Sequence, residues 1–208
     1  MKIANQYNHL NGLEYLLVHK QQQWQEIQNA IAEIDANNFV KQSKDKTRVG
    51  HWLYDQVKIN KEFERILSLT DWHELRVPYC VTDDIETAKA IADIRERDEQ
   101  RRIIEEKGHN VFNTYNQVDF VKDRIAVEVQ FGKYFSVAYD LHVKHTFFFL
   151  RDDIDVGIEI IPTHKMNRKM DTGVSWFENE VANVIREGRS NPTVPIVIIG
   201  IEPEEIRI

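Results

Sequence analysis

The sequence has a single cysteine, Cys80, so no disulfide can form within the chain. It has no apolar run of about 18 residues, which is the usual pattern of a membrane-spanning helix. Residues 1–20 lack the uninterrupted apolar core and the small-residue cleavage site of a secretory signal peptide. Together these absences predict a protein of the reducing bacterial cytoplasm with no membrane partner. In the segment LRVPYCV, which reads as a strand, Cys80 is predicted to be a buried structural thiol.

Internal repeats, low-complexity tracts and linkers rich in proline, glycine or serine are also absent. The chain has only 5 prolines and 8 glycines among 208 residues. A single domain over residues 1–208 is therefore the simplest interpretation. Apolar residues make up 42% of the chain, which is enough for a sizeable core.

An excess of basic residues is missing as well, since the formal net charge is −7. This balance counts against a protein that coats nucleic acid non-specifically, because such a protein needs a basic surface. It leaves open a protein with one basic cleft and an acidic surface elsewhere. Net charge alone does not decide the function.

Several segments have the spacing or the end signals of helices. An amphipathic helix is predicted in QQQWQEIQNAIAEI, with an apolar face of Trp24, Ile27, Ile31 and Ile34. A second helix is predicted to begin at Asn60 as N-cap and to bury Phe63, Ile66 and Leu67. A long charged helix is predicted from Thr82 to Gly108, facing inward with Ile85, Ala88, Ile91 and Ile94. Residues 41–50, KQSKDKTRVG, are predicted to be a loop.

The rest of the chain has mainly strand signals. DFVKDRIAVEVQF is predicted to be a hairpin that turns near Lys122 and Asp123. FGKYFSVAYDLHVKH is predicted to be helical or mixed, and DVGIEIIPT to be a strand that ends at Pro162. Ser175 and Glu178 form a predicted capping box for a helix that buries Phe177, Val181, Val184 and Ile185. VPIVIIGI is predicted to be a strand covered on both faces. The predicted fold class is α/β, with a mixed central sheet flanked by helices.

The hairpin brings together residues that could bind a metal ion. Along the second strand Glu128 and Gln130 share one face, and Asp119 on the partner strand reaches the same end of the sheet. Two carboxylates and the backbone carbonyl of Val129 make an oxygen-ligand site suited to Mg²⁺, and so to metal-assisted hydrolysis of a phosphodiester. On the pattern alone, a half-buried strand with a polar outer face is the more common explanation.

The spacing D-x₈-E-x-Q resembles the PD-(D/E)xK nuclease core, in the variant where glutamine replaces lysine. That variant is known from type II restriction endonucleases of the BglII and BstYI kind. Further segments are similar to BstYI in order and spacing, from residue 9 to about residue 201. They are HLNGLEY, YNQVDFVKDRIAVEVQFGKY, VAYDLHVKH, DVGIEIIP and NVIREGR followed by VPIVIIGI. The chain is identified as a member of this family, and BstYI is the nearest resemblance.

The resemblance implies a restriction-endonuclease fold and assigns roles to the core residues. Asp119 and the carbonyl of Val129 would be metal ligands, and Glu128 would bind metal or position the attacking water. Gln130 would stand where the core lysine usually does. A neutral amide cannot supply the charge of a lysine, so we expect strict dependence on divalent metal. The proline of the motif is also missing, because Val118 precedes Asp119.

The resemblance also implies a homodimer that cuts a palindromic six-base site with a GATC centre and leaves four-base 5′ overhangs. A cognate DNA methyltransferase would act on the same site and need not bind the enzyme. Lys133 matches the family position that faces the outer base pair, where relatives that demand adenine have asparagine. A lysine ammonium only donates, and both purines present N7 as acceptor. Recognition of R-GATC-Y is therefore our hypothesis.

Other residues are candidates for DNA contacts. Thr172 matches a second family position near the outer base pair. Lys165, Arg168 and Lys169 lie in a basic segment that either contacts DNA or is simply solvated. The same two alternatives apply to residues 41–50, which could be a flexible arm along the DNA backbone.

The remaining polar features have weaker signals. His142 and His145 have no third ligand at zinc spacing, Asn116 is predicted to be a structural turn, and Tyr134 and Tyr139 to pack in the core. Two alternatives to a site-specific endonuclease remain open. One is a DNA-binding protein that has lost catalysis, and the other is a non-specific or repair nuclease with the same core.

Overall fold

Apolar segments of the sequence form strands, and amphipathic segments form helices around them. The computed structural model describes all 208 residues. The strands are β1 (Lys2–His9), β2 (Val40–Gln42), β3 (Trp52–Tyr54), β4 (His73–Thr82), β5 (Val111–Lys122), β6 (Ile125–Val129), β7 (Val156–Pro162) and β8 (Ile196–Glu202). The helices are α1 (Gly12–His19), α2 (Gln21–Glu33), α3 (Gln56–Ser68), α4 (Ile85–Ile91), α5 (Arg97–Glu106), α6 (Tyr134–Tyr139), α7 (His145–Leu150), α8 (His164–Asn167) and α9 (Phe177–Glu187).

The chain groups into two compact units. Unit 1 consists of Met1–His73 and Asp119–Ile208, and unit 2 consists of Glu74–Val118. All residues predicted to take part in catalysis or DNA contacts belong to unit 1. The single domain over residues 1–208 remains a prediction.

Unit 1 contains a mixed sheet in which β1, β8, β7, β6 and β5 lie in that order. β6, β7 and β8 are parallel, whereas β1 and β5 pair antiparallel with their neighbours. Every residue of the three parallel strands is buried, as expected for parallel strands with both faces covered. One apolar cluster joins α1, α2 and α3 to one face of the sheet. A second cluster joins α6 and α9 to the other face. The predicted fold class is confirmed.

The predicted hairpin of β5 and β6 is confirmed, with Lys122 opposite Ile125. Asp123 and Arg124 form its turn with φ angles of 48° and 66°, a region that non-glycine residues rarely adopt but that a two-residue hairpin turn requires. The guanidinium of Arg124 contacts Asp155 at 2.7 Å and Asp152 at 2.6 Å. These ion pairs stabilise a turn that contains no glycine. They also join the start of β6 to the start of β7.

Two predicted helix starts are wrong. α3 begins after Asp55, whose carboxylate accepts a hydrogen bond from the backbone N–H of Lys58, so Asn60 lies within the helix. α9 begins after Trp176 and has no side-chain cap. The capping box does not form because Ser175 donates to Glu180, while Glu178 accepts from the backbone N–H of His164 at 2.8 Å.

The buried face of α9 differs from the predicted one at Ile185. Phe177 and Val184 are buried and Val181 is partly buried, but Ile185 is exposed. Other predictions for unit 1 are confirmed: α2 buries Trp24 and its isoleucines, and β7 and β8 lie where the sequence places them. Residues 41 and 42, predicted to be loop, instead belong to β2, which pairs with β3.

Unit 2 contains α4 and α5, with β4 beside the part of β5 that belongs to this unit. The single long helix predicted from Thr82 is wrong, because Thr82 ends β4 and α4 begins after Asp84 as N-cap. Gly108 follows α5 with a φ of +77°, as predicted for a helix end. Ile91 and Cys80 are buried together with Ile104, which confirms the buried thiol.

The predicted inward face of this region is only partly correct, since Ile85 and Ala88 are exposed. Thr87 and Ile91 are the buried residues of α4. None of the helices has both the length and the apolar character that crossing a membrane requires.

Candidate active site

The hairpin brings Asp119 next to the end of β6. The Asp119 Oδ2 atom accepts a hydrogen bond from the backbone N–H of Val129 at 3.3 Å. Glu128 is the preceding residue on that strand, and the Asp119 charge acts on its side chain. The sequence therefore correctly predicts that Asp119, Glu128 and the backbone of Val129 come together.

The side chain of Glu128 is buried, with 1% of its surface exposed. Its Oε1 atom accepts from the Lys144 ammonium at 3.0 Å, and its Oε2 atom has no hydrogen-bond partner. Burial raises the pKa of Glu128 well above its usual value, and the nearby charges of Asp119 and Asp140 raise it further. Glu128 is thus a desolvated carboxylate with one oxygen free to bind a cation.

Gln130 is turned toward a helical segment that packs on this face of the sheet. Its amide nitrogen donates to Asp140 Oδ2 at 2.8 Å, and its amide oxygen accepts from the backbone N–H of Gly132 at 2.8 Å. A Cβ at Gly132 would collide with that amide oxygen, so glycine leaves the room that Gln130 occupies. Both polar ends of the glutamine are therefore paired within the protein.

The helical segment supplies two charged residues that the sequence analysis missed, Asp140 and Lys144. They lie at the two ends of a π-helical turn, Asp140–Lys144, between α6 and α7. Asp140 Oδ1 lies 2.6 Å from the Lys144 ammonium. Burial raises the pKa of Asp140, against the opposing effects of Lys144 and Gln130. The sequence does contain a signal that could have identified them. Their four-residue spacing in VAYDLHVKH places two opposite charges on one helix face.

Glu159 on β7 is the third missed residue. In the parallel register Glu159 pairs with Glu128, so the two side chains lie side by side on one face. Glu159 is fully buried; its Oε2 atom lies 3.3 Å from His145 Nε2, and its Oε1 atom has no partner. Burial raises the pKa of Glu159, helped by Asp140 and Glu128.

The partner of Glu159 is a neutral histidine. Burial, with help from the Lys144 charge, lowers the pKa of His145 to about 3. Gly157 provides the room for this ring, because a Cβ there would meet His145 Nδ1 at 2.6 Å. His145 and Glu159 therefore form a fully buried pair.

The donor set of the site fits a hard divalent cation. Asp119, Glu128, Asp140 and Glu159 act on one another's charges, with Lys144 as the opposing cation. Two buried carboxylate oxygens have no hydrogen bond, and oxygen ligands of this type suit Mg²⁺. The structure contains no group of three or more His, Cys, Asp or Glu side chains arranged as a metal site. The predicted ligand set is therefore not made of side chains alone: it combines Asp119 and Glu128 with the backbone carbonyl of Val129.

The two residues predicted to face the outer base pair lie in neighbouring segments. Lys133 is exposed and forms an isolated antiparallel bridge with Val174, and Gly173 accepts from the backbone N–H of Tyr134 at 3.0 Å. Thr172 precedes this bridge. Its hydroxyl accepts from the Arg48 guanidinium at 2.7 Å and donates to Asp45 at 3.2 Å. The Thr172 hydroxyl is thus held by the 43–51 loop.

Basic side chains line a cleft of about 640 Å³ beside these segments. They are Arg48, His51, His164, Lys165, Arg168 and Lys169. The basic segment that contains Lys165, Arg168 and Lys169 is partly helical, because α8 runs from His164 to Asn167. A second cleft of about 380 Å³ is lined by Arg48, Tyr134, Arg168 and Thr172, among others. The acidic chain therefore does have a locally basic surface.

The structure also tests several of the weaker predictions. His142 Nε2 lies 3.2 Å from Glu187, so it does not share a ligand position with His145. Asn116 is a buried residue within β5 and not a turn. Tyr134 and Tyr139 are 65% and 45% exposed, so the prediction that they pack in the core is wrong.

Comparisons with known proteins add independent findings. The family model described as "Restriction endonuclease BglII/BglIII" matches residues 4–201. The fold is similar to that of restriction endonuclease BglII complexed with a DNA 16-mer, with a TM-score of 0.64 and 18% identity over 98% of this chain and 78% of that chain. It is also similar to free BglII, with a TM-score of 0.60 and 17% identity over 98% and 81% of the two chains. No curated protein sequence gives a match.

Proposed function

Because the chain belongs to the BglII/BglIII restriction endonuclease family, and is therefore a type II site-specific endonuclease, we propose that it cuts double-stranded DNA at R-GATC-Y. Cleavage would require Mg²⁺ and leave four-base 5′ overhangs. The protein would act as a homodimer in the bacterial cytoplasm, where a cognate methyltransferase modifies the same site. A closer likeness to BstYI than to BglII stays a prediction.

One observation carries the proposed site. Asp119, Glu128 and the Val129 backbone converge at the open end of the hairpin, and a buried Glu128 oxygen there has no partner. Protein folding alone does not favour a desolvated, unpaired carboxylate oxygen, because its burial costs free energy. A cation held there would offset that cost.

In the proposed reaction a water oxygen bonds to phosphorus while one P–O ester bond breaks. The water gives up a proton to solvent, and the departing oxygen takes one up. Asp119, Glu128 and the Val129 carbonyl would hold Mg²⁺, which when bound acidifies water and offsets charge on the phosphate. Glu128 would orient the attacking water. Gln130 is neutral and paired with Asp140 and Gly132, so it would position its neighbours without supplying charge.

Lys133 and Thr172 are the proposed readers of the outer base pair. The bridge between Lys133 and Val174 supports this assignment, because it places the two segments side by side. The side chains of Lys133 and Thr172 are both exposed. Lysine can donate to N7 of either purine, so it would accept both adenine and guanine. Lys165, Arg168 and Lys169 would contact phosphates from the basic cleft.

A homodimer matches the two-fold symmetry of a palindromic site. The segment from α6 to α7 presents exposed apolar side chains that a second copy could cover. We call them the α6–α7 stripe: Phe135, Tyr139, Val143 and Leu150, which are 59%, 45%, 40% and 72% exposed. Exposed apolar side chains that recur along one helical segment are candidates for a protein interface.

Incubation of the protein with unmethylated plasmid and Mg²⁺ tests the proposal. The expected result is a discrete set of fragments whose sequenced ends all fall at R-GATC-Y. A smear, or nicks at lesions, would support a non-specific or repair nuclease. A gel shift without any cleavage would support a DNA-binding protein that has lost catalysis.

A further inference from the structure

We call Asp119, Glu128, Asp140 and Glu159 the acidic cluster. Its opposing positive charge, Lys144, comes from the helical segment and not from the strands. The Lys144 ammonium lies 2.6 Å from Asp140 Oδ1 and 3.0 Å from Glu128 Oε1. Its side chain is 19% exposed, whereas those of Glu128 and Asp140 are 1% exposed. The lysine thus has its ammonium on the buried carboxylates while part of the side chain still reaches the surface.

Asp140 holds both Lys144 and Gln130. One oxygen of its carboxylate faces the Lys144 ammonium, and the other accepts from the Gln130 amide. Because Gln130 also accepts from Gly132, both ends of its amide are paired within the protein. Gln130, two residues after Glu128, therefore contributes no charge to the site. The adjacent helical turn contributes one through Lys144.

We propose that Lys144 is a catalytic residue whose ammonium contacts the scissile phosphate beside Glu128, and that Asp140 is the residue that positions it. This inference rests on the proposed function. As the water oxygen bonds to phosphorus and the ester bond breaks, charge grows on the phosphate oxygens. A fixed ammonium offsets that charge without any proton transfer of its own.

The location of Lys144 supports this role over that of a simple counterion. It lies at the end of a π-helical turn, a rare conformation that is frequent at functional sites. Lys122 provides the comparison within the same chain, since its ammonium lies 2.7 Å from Glu26 and also donates to the Thr70 carbonyl at 2.7 Å. The ion pair of Lys122 with Glu26 thus joins β5 to α2, away from the acidic cluster.

The test measures single-turnover cleavage of a duplex oligonucleotide that contains an R-GATC-Y site. Lys144→Met is expected to slow cleavage about 100-fold, the range for losing one charge-stabilising donor. Its affinity for the same duplex in Ca²⁺ is expected to stay within about 3-fold of wild type, and its circular dichroism should be unchanged. Lys122→Met is the matched control, and should lower the melting temperature while keeping the cleavage rate within about 3-fold.

An exchanged variant, Gln130→Lys with Lys144→Gln, keeps one ammonium and one amide beside Asp140. It is expected to cleave at least about 10-fold faster than Lys144→Met. Cleavage by Lys144→Met at the wild-type rate overturns the inference, as does an equal loss of duplex binding and cleavage. If Lys144→Met does not fold, the exchanged variant decides, because recovered cleavage supports the role and a folded but inactive protein contradicts it. A wild-type protein that cuts no DNA would instead remove the proposed function itself.

Discussion

At the scale of single residues, the site depends on one buried carboxylate and on what surrounds it. Glu128 has a partner for one oxygen and none for the other. The charges of Asp119 and Asp140 add to the effect of burial and raise the pKa of Glu128, so ionising this side chain costs free energy. The proposed divalent cation would offset that cost, because its charge would balance that of the carboxylates.

Asp119→Ala should lower the rate of Mg²⁺-dependent cleavage by roughly 1000-fold, because it removes one of the two acidic ligands. Binding of the specific duplex should remain measurable in a gel shift, since the DNA-contacting surface is unchanged. The control is circular dichroism, which should match wild type. Wild-type turnover by this variant would exclude Asp119 from the active site.

Lys133→Asn should shift cleavage toward sites with adenine at the outer position, since asparagine pairs with both N6 and N7 of adenine. The expected change is roughly 10-fold in the ratio of rates on A-GATC-T and G-GATC-C duplexes, about the discrimination of one bidentate contact. An unchanged ratio would show that Lys133 does not read this base pair.

Strand alternation and a short hairpin place Asp119, Glu128 and Gln130 near one another in the sequence analysis, and the resemblance to the nuclease core assigns their roles. The sequence does not reveal Asp140, Lys144 and Glu159 as members of the site. Glu159 meets Glu128 only through the register of two parallel strands that are distant along the chain. Contacts of that kind come from tertiary packing, for which a single sequence has no periodic signal.

At the scale of elements, helix starts were the least predictable feature. Both Asp55 and Asn60 are residues that cap helices well, and each precedes apolar residues at helical spacing. Tertiary contacts decide between them: β3 ends at Tyr54, and the backbone N–H of Asp55 donates to Phe39 at 2.8 Å. The hairpin, in contrast, is predicted from the alternation of apolar and polar residues alone, although its turn contains no glycine.

The ion pair between Glu26 on α2 and Lys122 on β5 joins two elements. Burial acts to raise the pKa of Glu26, but hydrogen bonds from Lys122, Gln22 and Trp72 hold it below the usual value. Glu26→Gln should therefore lower the free energy of unfolding by about 1–3 kcal/mol at pH 7. Urea denaturation measures this difference.

The same pair predicts a pH dependence with a definite sign. A carboxylate whose pKa is lowered by folding adds stability above its unfolded pKa of about 4.3, and loses it as the pH falls through the lower folded value. The difference between wild type and Glu26→Gln should therefore shrink below about pH 4. A difference that stays constant from pH 7 to pH 3.5 would contradict the pairing.

At the scale of the whole molecule, a net charge of −7 coexists with a basic cleft. Composition therefore gives little information about the partner, because a few positive side chains that line one cleft do not change the sign of the net charge. The central sheet explains how the chain carries a charged site inside an apolar core. Helices bury both faces of β6, β7 and β8, and the site lies where β6 meets the α6–α7 segment.

The α6–α7 stripe is the predicted contact surface of the homodimer. Leu150→Glu should shift the protein from dimer to monomer in sedimentation velocity, because it places a charge in an apolar contact. Leu69→Glu is the matched control, since Leu69 and Leu150 are 73% and 72% exposed. A Leu150→Glu protein that sediments as the wild type does would place the dimer contact elsewhere.

The central proposal is that the acidic cluster binds the divalent ion that breaks the DNA backbone. Anomalous scattering from crystals of the protein–DNA complex grown with Mn²⁺ tests it most directly. We predict a peak in contact with Asp119, Glu128 and the Val129 carbonyl. Crystals that cleave their DNA but have no peak at those three groups, or a peak only elsewhere, would contradict it.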